Sequence, residues 1–202
     1  MPSTGIVTPL YDRAQVAAQP LQADQCALLV IDIQEKLLQP IFNKESLIRN
    51  TQLLLRLAGI LSVPVTATTQ YVKGLGPTVR EVAALLPAEH DPFDKMEFSC
   101  FGSERFCSAM KALPPRRNTV LLCGMETHIC VMQTALAALE AGYIVHVAAD
   151  AVGSRAEFNW KVGLDRMRDA GCVISSTEMM MYELLRQSGT AAFKEMLKHL
   201  KG

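Results

Sequence analysis

Residues 119–149 read TVLLCGMETHICVMQTALAALEAGYIVHVAA, and this stretch decides the fold. The short apolar run Thr119–Cys123 is typical of a strand buried in a sheet. A helix is predicted over His128–Ala141, and Gly142 ends it. The next apolar run, Tyr143–Ala149, is again a strand. A strand–helix–strand unit of this kind places its two strands parallel, with the helix packed on the sheet.

The rest of the chain repeats the alternation. Further strands are predicted at Cys26–Ile33, Val63–Thr69 and Cys172–Ser175, with a brief strand within Asp91–Phe101. Further helices are predicted at Glu45–Leu61, Val79–Leu86, Ser103–Leu113, Glu157–Ala170, Glu178–Gln187 and Thr190–Leu200, with a Gly/Pro turn at Lys73–Pro77. We therefore expect an α/β fold, a three-layer αβα arrangement around a mostly parallel, doubly wound, Rossmann-like sheet. Residues 1–25 are expected to form an N-terminal arm and residues 26–202 a single domain.

Composition excludes several broad function classes. The chain has 202 residues, half of them hydrophobic, and its 20 basic residues equal its 20 acidic residues. Nucleic-acid and anionic-membrane binding both depend on excess Lys and Arg, so neither partner is expected. No apolar run approaches the roughly 20 residues that cross a bilayer. The six cysteines show no metal-ligand spacing, and no secretory signal pattern opens the chain, so we expect a reduced, cytoplasmic protein.

Three polar residues lie where a parallel sheet places its ligand site, beyond the carboxyl ends of the strands. Asp32 ends the first strand, Lys95 follows the second, and Cys130 opens the helix after Thr119–Cys123. Each has an ordinary alternative: a helix cap, a solvated surface lysine and a packed core thiol. Together they could form a nucleophilic site, in which Asp32 deprotonates the thiol and Lys95 balances the charges. A helix start would also favour the thiolate.

The surrounding segment adds to this interpretation. Gly124–Cys130 (GMETHIC) offers consecutive backbone N–H groups, which would suit an oxyanion hole. His128 is the obvious rival base. It lies two positions before Cys130, however, and side chains at that spacing point to different faces of a helix.

These residues resemble a known family. The runs LLVIDIQ, TTQYVKGLGPT, FDKMEFSCF, CGMETHICVMQTA and HVAADAVGSR, in this order, are similar to those of the isochorismatase-like cysteine hydrolases. The resemblance implies an Asp–Lys–Cys triad at Asp32, Lys95 and Cys130. It also implies a cis peptide between Met125 and Glu126 that aims backbone N–H groups at the oxyanion. The family's activities suggest a small-molecule substrate, with hydrolysis of an amide or carbamoyl C–N bond, and a homo-oligomer, most often a dimer or tetramer.

Departures from the family pattern carry information too. Nicotinamidases of this family have metal-binding Asp and His residues where this chain reads Gln70-Tyr71-Val72, so we expect no metal and no other cofactor. Gln34, Gln70, Tyr71 and Phe101 are predicted to line the substrate pocket, although each could instead be a structural hydrogen bonder or packing residue. Two other functions stay open: isochorismatase-type cleavage of a vinyl ether, and a binding or scaffold protein that has lost turnover.

Overall fold

A computed structural model of the chain describes residues 15, 18–88 and 90–200. The predicted N-terminal arm, residues 1–25, therefore lies largely outside the described residues. No helix among the described residues is long and apolar enough to cross a membrane.

Six strands form one sheet in the order β3-β2-β1-β4-β5-β6. They are β1 Cys26–Ile31, β2 Val65–Gln70, β3 Phe93–Lys95, β4 Thr119–Met125, β5 Ile144–Gly153 and β6 Val173–Ser175. Every neighbouring pair in this sheet is parallel. Helices cover both of its faces, which confirms the predicted three-layer α/β fold.

The helices lie between the strands and after β6. They are α1 Glu35–Leu38, α2 Lys44–Leu61, α3 Val72–Leu75, α4 Arg80–Ala83, α5 Glu104–Ala112, α6 Met132–Glu140, α7 Glu157–Ala170, α8 Thr177–Leu185 and α9 Ala191–Leu197, with a 3₁₀ turn at Cys100–Gly102. The Ser103 hydroxyl accepts the Phe106 N–H and so caps α5 as expected. The prediction missed α1, and it assigned part of α3 to a turn, since four residues are too few to show helical periodicity.

The segment after β4 differs from the predicted single helix. It begins as one π-helical turn, Thr127–Val131, and only then continues as α6. The wider turn lets the N–H groups of Ile129 and Val131 share the Glu126 carbonyl oxygen. Such turns inside helices are frequent at functional sites.

The strand order reverses between β1 and β4, so the crevice at their carboxyl ends is the expected ligand site of this topology. Here β1 and β4 approach so closely that Gly124 cannot be replaced freely. A Cβ on Gly124 would lie 2.1 Å from the Ile31 carbonyl oxygen, and its φ of +125° disfavours any other residue. The backbone at the crevice is therefore fixed directly before the turn that carries Cys130.

Candidate active site

Asp32 follows β1 directly and turns its carboxylate into the protein. Its backbone lies in the left-handed region, with φ of +53°, and the residue is completely buried. One carboxylate oxygen accepts the Thr68 hydroxyl at 2.7 Å, and the other accepts the Lys95 ammonium at 2.6 Å. The N-cap position of α1 belongs to Gln34, so the alternative role of Asp32 as a helix cap is wrong.

Lys95 ends the short edge strand β3 and points inward. Its side chain is fully buried, and its ammonium donates to Asp32 and, at 2.8 Å, to the Gln70 amide oxygen. Burial is the largest single cause and lowers the pKa of Lys95. The charge of Asp32, the nearby Cys130 and Cys100 thiols and the hydrogen bond to Asp32 together outweigh burial, so the pKa is raised and Lys95 stays charged. The alternative of a solvated surface lysine is therefore wrong.

Cys130 lies in the π-helical turn, buried beside this ion pair. Burial is the largest cause that raises the pKa of its thiol. The Asp32 charge and hydrogen bonding to Asp32 raise it further, while Lys95 lowers it. The resting site therefore holds a thiol beside an ionised Asp–Lys pair. Our expectation that the helix start favours the thiolate is wrong for this state, because burial and the carboxylate outweigh it.

The four predicted pocket residues lie in different surroundings. Gln34 is buried and binds backbone: its Nε2 donates to the carbonyls of Gln70 and Gly76, and its Oε1 accepts the Gln70 N–H at 2.7 Å. Gln70 contacts Lys95 directly. Tyr71 is 47% exposed. Phe101 packs edge-on against Phe106, with ring centroids 5.2 Å apart.

The peptide bond between Met125 and Glu126 is cis. Met125 is buried at the end of β4. The Glu126 carboxylate is almost buried as well, and Arg155 holds it through its Nε at 3.0 Å and its backbone N–H at 3.1 Å. His128 Nδ1 lies 3.1 Å from the hydroxyl of Ser154, the residue directly after β5, so its ring contacts Ser154 and not the Asp32–Lys95 pair.

Sequence reasoning missed Thr68 and Cys100, which contact the site. Thr68 holds the carboxylate of Asp32, and its hydroxyl lies 3.8 Å from the Cys100 sulfur. The backbone N–H of Cys100 in turn donates to Thr134, one helical turn after Cys130. The polar end of the buried strand Val65–Gln70 (VTATTQ) was the available signal, since hydroxyls in a buried strand need partners.

Among the described residues, no group of three or more His, Cys, Asp or Glu side chains is placed to hold a metal ion.

The pattern that defines the isochorismatase domain matches residues 26–179, from the start of β1 into α8. The chain belongs to the isochorismatase family. Over 176 residues it is 40% identical to the secreted isochorismatase effector Isc1 of Phytophthora sojae, a match that covers 86% of this chain and 83% of that protein. Membership in this family makes the chain an isochorismatase-like hydrolase.

Solved structures share the fold. The MAR1 ribonuclease of Caenorhabditis elegans has a TM-score of 0.84 at 33% identity, covering 91% of this chain and 93% of that chain. YcaC of Pseudomonas aeruginosa, solved with hexane-2,5-diol and covalent acrylamide, has a TM-score of 0.81 at 26% identity, covering 90% and 92%. YcaC of Escherichia coli, an octameric hydrolase of unknown specificity, has a TM-score of 0.82 at 27% identity, covering 89% and 90%.

Proposed function

We propose that this protein is a cysteine-dependent hydrolase that cleaves an amide or carbamoyl C–N bond of a small molecule. The observation that carries the proposal is the fully buried pair of Asp32 and Lys95, 2.6 Å apart, with the Cys130 thiol beside it. Charges are rarely buried so completely without a task, and perturbed groups of this kind cluster at functional sites.

The proposed reaction begins with the resting thiol. Asp32 takes the proton from Cys130 as the sulfur attacks the carbonyl carbon and forms a tetrahedral intermediate. The N–H groups of Glu126 and Cys130 donate to the oxyanion. When the C–N bond breaks, Asp32 returns the proton to the leaving amine, and a thioester remains on Cys130.

The second half of the reaction releases the acid. Asp32 takes a proton from a water molecule, whose oxygen attacks the thioester. Collapse of that intermediate expels the sulfur, which regains the proton from Asp32. Lys95 stays charged throughout, because it offsets the carboxylate in the resting state and the thiolate during attack.

The test is ammonia release over a panel of small amides and carbamoyl compounds. We expect turnover by the wild type and its loss in Cys130→Ala, with Cys172→Ala as a matched control, since Cys172 is another buried thiol of the same core half. Equal turnover by the wild type and Cys130→Ala would refute the covalent mechanism. Hydrolysis of RNA is assayed in parallel, because MAR1 is described as a ribonuclease. We expect none from a chain of zero net charge.

The similarity to Isc1 favours a second candidate, cleavage of the vinyl ether of isochorismate. In this reaction the cysteine need not act as nucleophile. Pyruvate release from isochorismate that persists in Cys130→Ala would favour this activity over amide hydrolysis.

Assembly and location belong to the proposal too. We propose a homo-oligomer, a dimer or tetramer, supported by the octameric YcaC relative. Light scattering on the purified protein measures the oligomer directly. We also propose a cytoplasmic location. The relative Isc1 is described as secreted, so cell fractionation is the test of this location.

A further inference from the structure

We propose that Gln70 is a positioning residue, which holds the Lys95 ammonium in the orientation that serves Cys130. The inference rests on the proposed function, in which Lys95 offsets the thiolate. It gives Gln70 a role other than contact with the substrate.

The sheet itself places Gln70 beside Lys95. The two residues are register partners at the carboxyl ends of β2 and β3, and both are buried. The Tyr71 N–H donates to the Lys95 carbonyl at 3.0 Å, so the backbones stay paired beyond the strands. The side-chain contact is therefore set by strand pairing.

Both ends of the Gln70 amide are occupied by protein groups. Its Oε1 accepts the Lys95 ammonium at 2.8 Å, and its Nε2 donates to the Met96 carbonyl at 2.8 Å. These bonds fix which end of the amide faces Lys95, because a flipped amide would turn its N–H groups toward the ammonium. An amide engaged in this way is poorly suited to recognise a substrate.

Gln34 supports this arrangement from the other side. Its amide binds both the N–H and the carbonyl of Gln70, at 2.7 Å and 3.1 Å, and also the Gly76 carbonyl. Gln34 thus fixes the backbone of Gln70, and Gln70 fixes the ammonium.

The Lys95 ammonium has three N–H groups. Asp32 and Gln70 take two of them, which leaves one for the thiolate or the reacting atoms. A neutral amide oxygen orients the ammonium without adding a negative charge beside Cys130. A second carboxylate at this position would hold Lys95 as well, but it would disfavour the thiolate.

The experiment measures iodoacetamide alkylation of each cysteine at fixed pH, by mass spectrometry, in Gln70→Glu, Gln70→Met and the wild type. In Gln70→Glu, the new carboxylate is expected to lower the thiolate fraction of Cys130, and with it the alkylation rate, about tenfold. This is the change that one pKa unit brings. Gln70→Met is expected to slow the same alkylation about threefold, because the freed ammonium spends less time near the sulfur. Gln52→Met is the matched control, since the Gln52 amide binds the Glu81 carbonyl on the surface.

The sign of the effect separates positioning from a merely structural role. Loosening of the fold would speed alkylation of all buried thiols, with Cys26 and Cys123 as internal references. Loss of positioning slows Cys130 alone. Cys130 alkylation that is unchanged in Gln70→Met, or that accelerates together with the reference thiols, overturns the inference. If Cys130 alkylation slows while Cys130→Ala still releases ammonia, the positioning of Lys95 stands and the proposed function falls.

Discussion

Replacement of Lys95 by Met removes the cation that pairs with the buried carboxylate of Asp32. Both side chains of the pair are fully buried. The unpaired carboxyl is expected to take up a proton in the folded variant, since a lone buried charge costs more than protonation. An ordinary aspartic acid has a pKa of about 3.9, so protonation at pH 7 costs about 4 kcal/mol, at about 1.4 kcal/mol per unit.

This cost depends on pH in a defined direction. At pH 5 the same protonation costs about 1.5 kcal/mol, because only about one unit separates that pH from the unfolded pKa. Lys95→Met should therefore lose about 4 kcal/mol of unfolding free energy relative to the wild type at pH 7, and markedly less at pH 5. The double variant Asp32→Asn/Lys95→Met buries no charge, so it should be more stable than Lys95→Met at pH 7.

Urea unfolding of all three proteins at both pH values is the assay, with each variant compared with the wild type at the same pH. Lys161→Met breaks an exposed lysine–carboxylate pair and should leave the unfolding midpoint unchanged. A Lys95→Met penalty that is equal at pH 5 and pH 7, or a double variant less stable than the single one, would refute the reasoning.

Three further predictions follow from other features. Asp32→Asn should lower turnover by about 100-fold or more, through loss of the general base, while Cys130 alkylates faster. Alkylation is faster because the carboxylate that raises the pKa of the Cys130 thiol is gone. A fall in both the turnover rate and the alkylation rate would contradict this prediction. Burial lowers the pKa of His146 to about 4 from about 6.5, so the folded state favours neutral His146. As the pH falls from 7 to 5, the wild type should lose about 2 kcal/mol of unfolding free energy through His146. His146→Val should lose less over the same range, and an equal loss in the two proteins would contradict this. Gly124→Ala should unfold at a much lower urea concentration, because its Cβ meets backbone at 2.1 Å, whereas Gly59→Ala, in open space on α2, should stabilise by about 0.5–1 kcal/mol; similar midpoints would contradict the steric argument.

The fold was predictable because its signals are local. Apolar runs broken at Gly142 and Gly171 mark where strands and helices end, and both glycines have positive φ in the structure. Alternation of the two element types then implies a parallel sheet. Strand register is not local, and for this reason the contacts of Thr68 with Asp32 and of Gln70 with Lys95 were missed.

The sequence predicted which residues make up the candidate site, but it did not predict the protonation state of the Cys130 thiol. Placement at the carboxyl ends of the strands singled out Asp32, Lys95 and Cys130, and the family resemblance implied the same three residues. The structure brings them together. The state of the thiol depends on burial and on the charge of Asp32. Neither quantity can be read from the residues next to Cys130, where only the helix start was visible.

The most direct test of the central claim, that Cys130 is the nucleophile, is to map where acrylamide adds to the protein. Acrylamide is a small amide, and it is covalently bound in the YcaC structure from Pseudomonas aeruginosa. Among the buried cysteines, peptide mass spectrometry of the treated wild type should find the adduct on Cys130, with Cys26 and Cys123 unmodified on the same timescale. An adduct on Cys26 or Cys123, with Cys130 left free, would contradict the account.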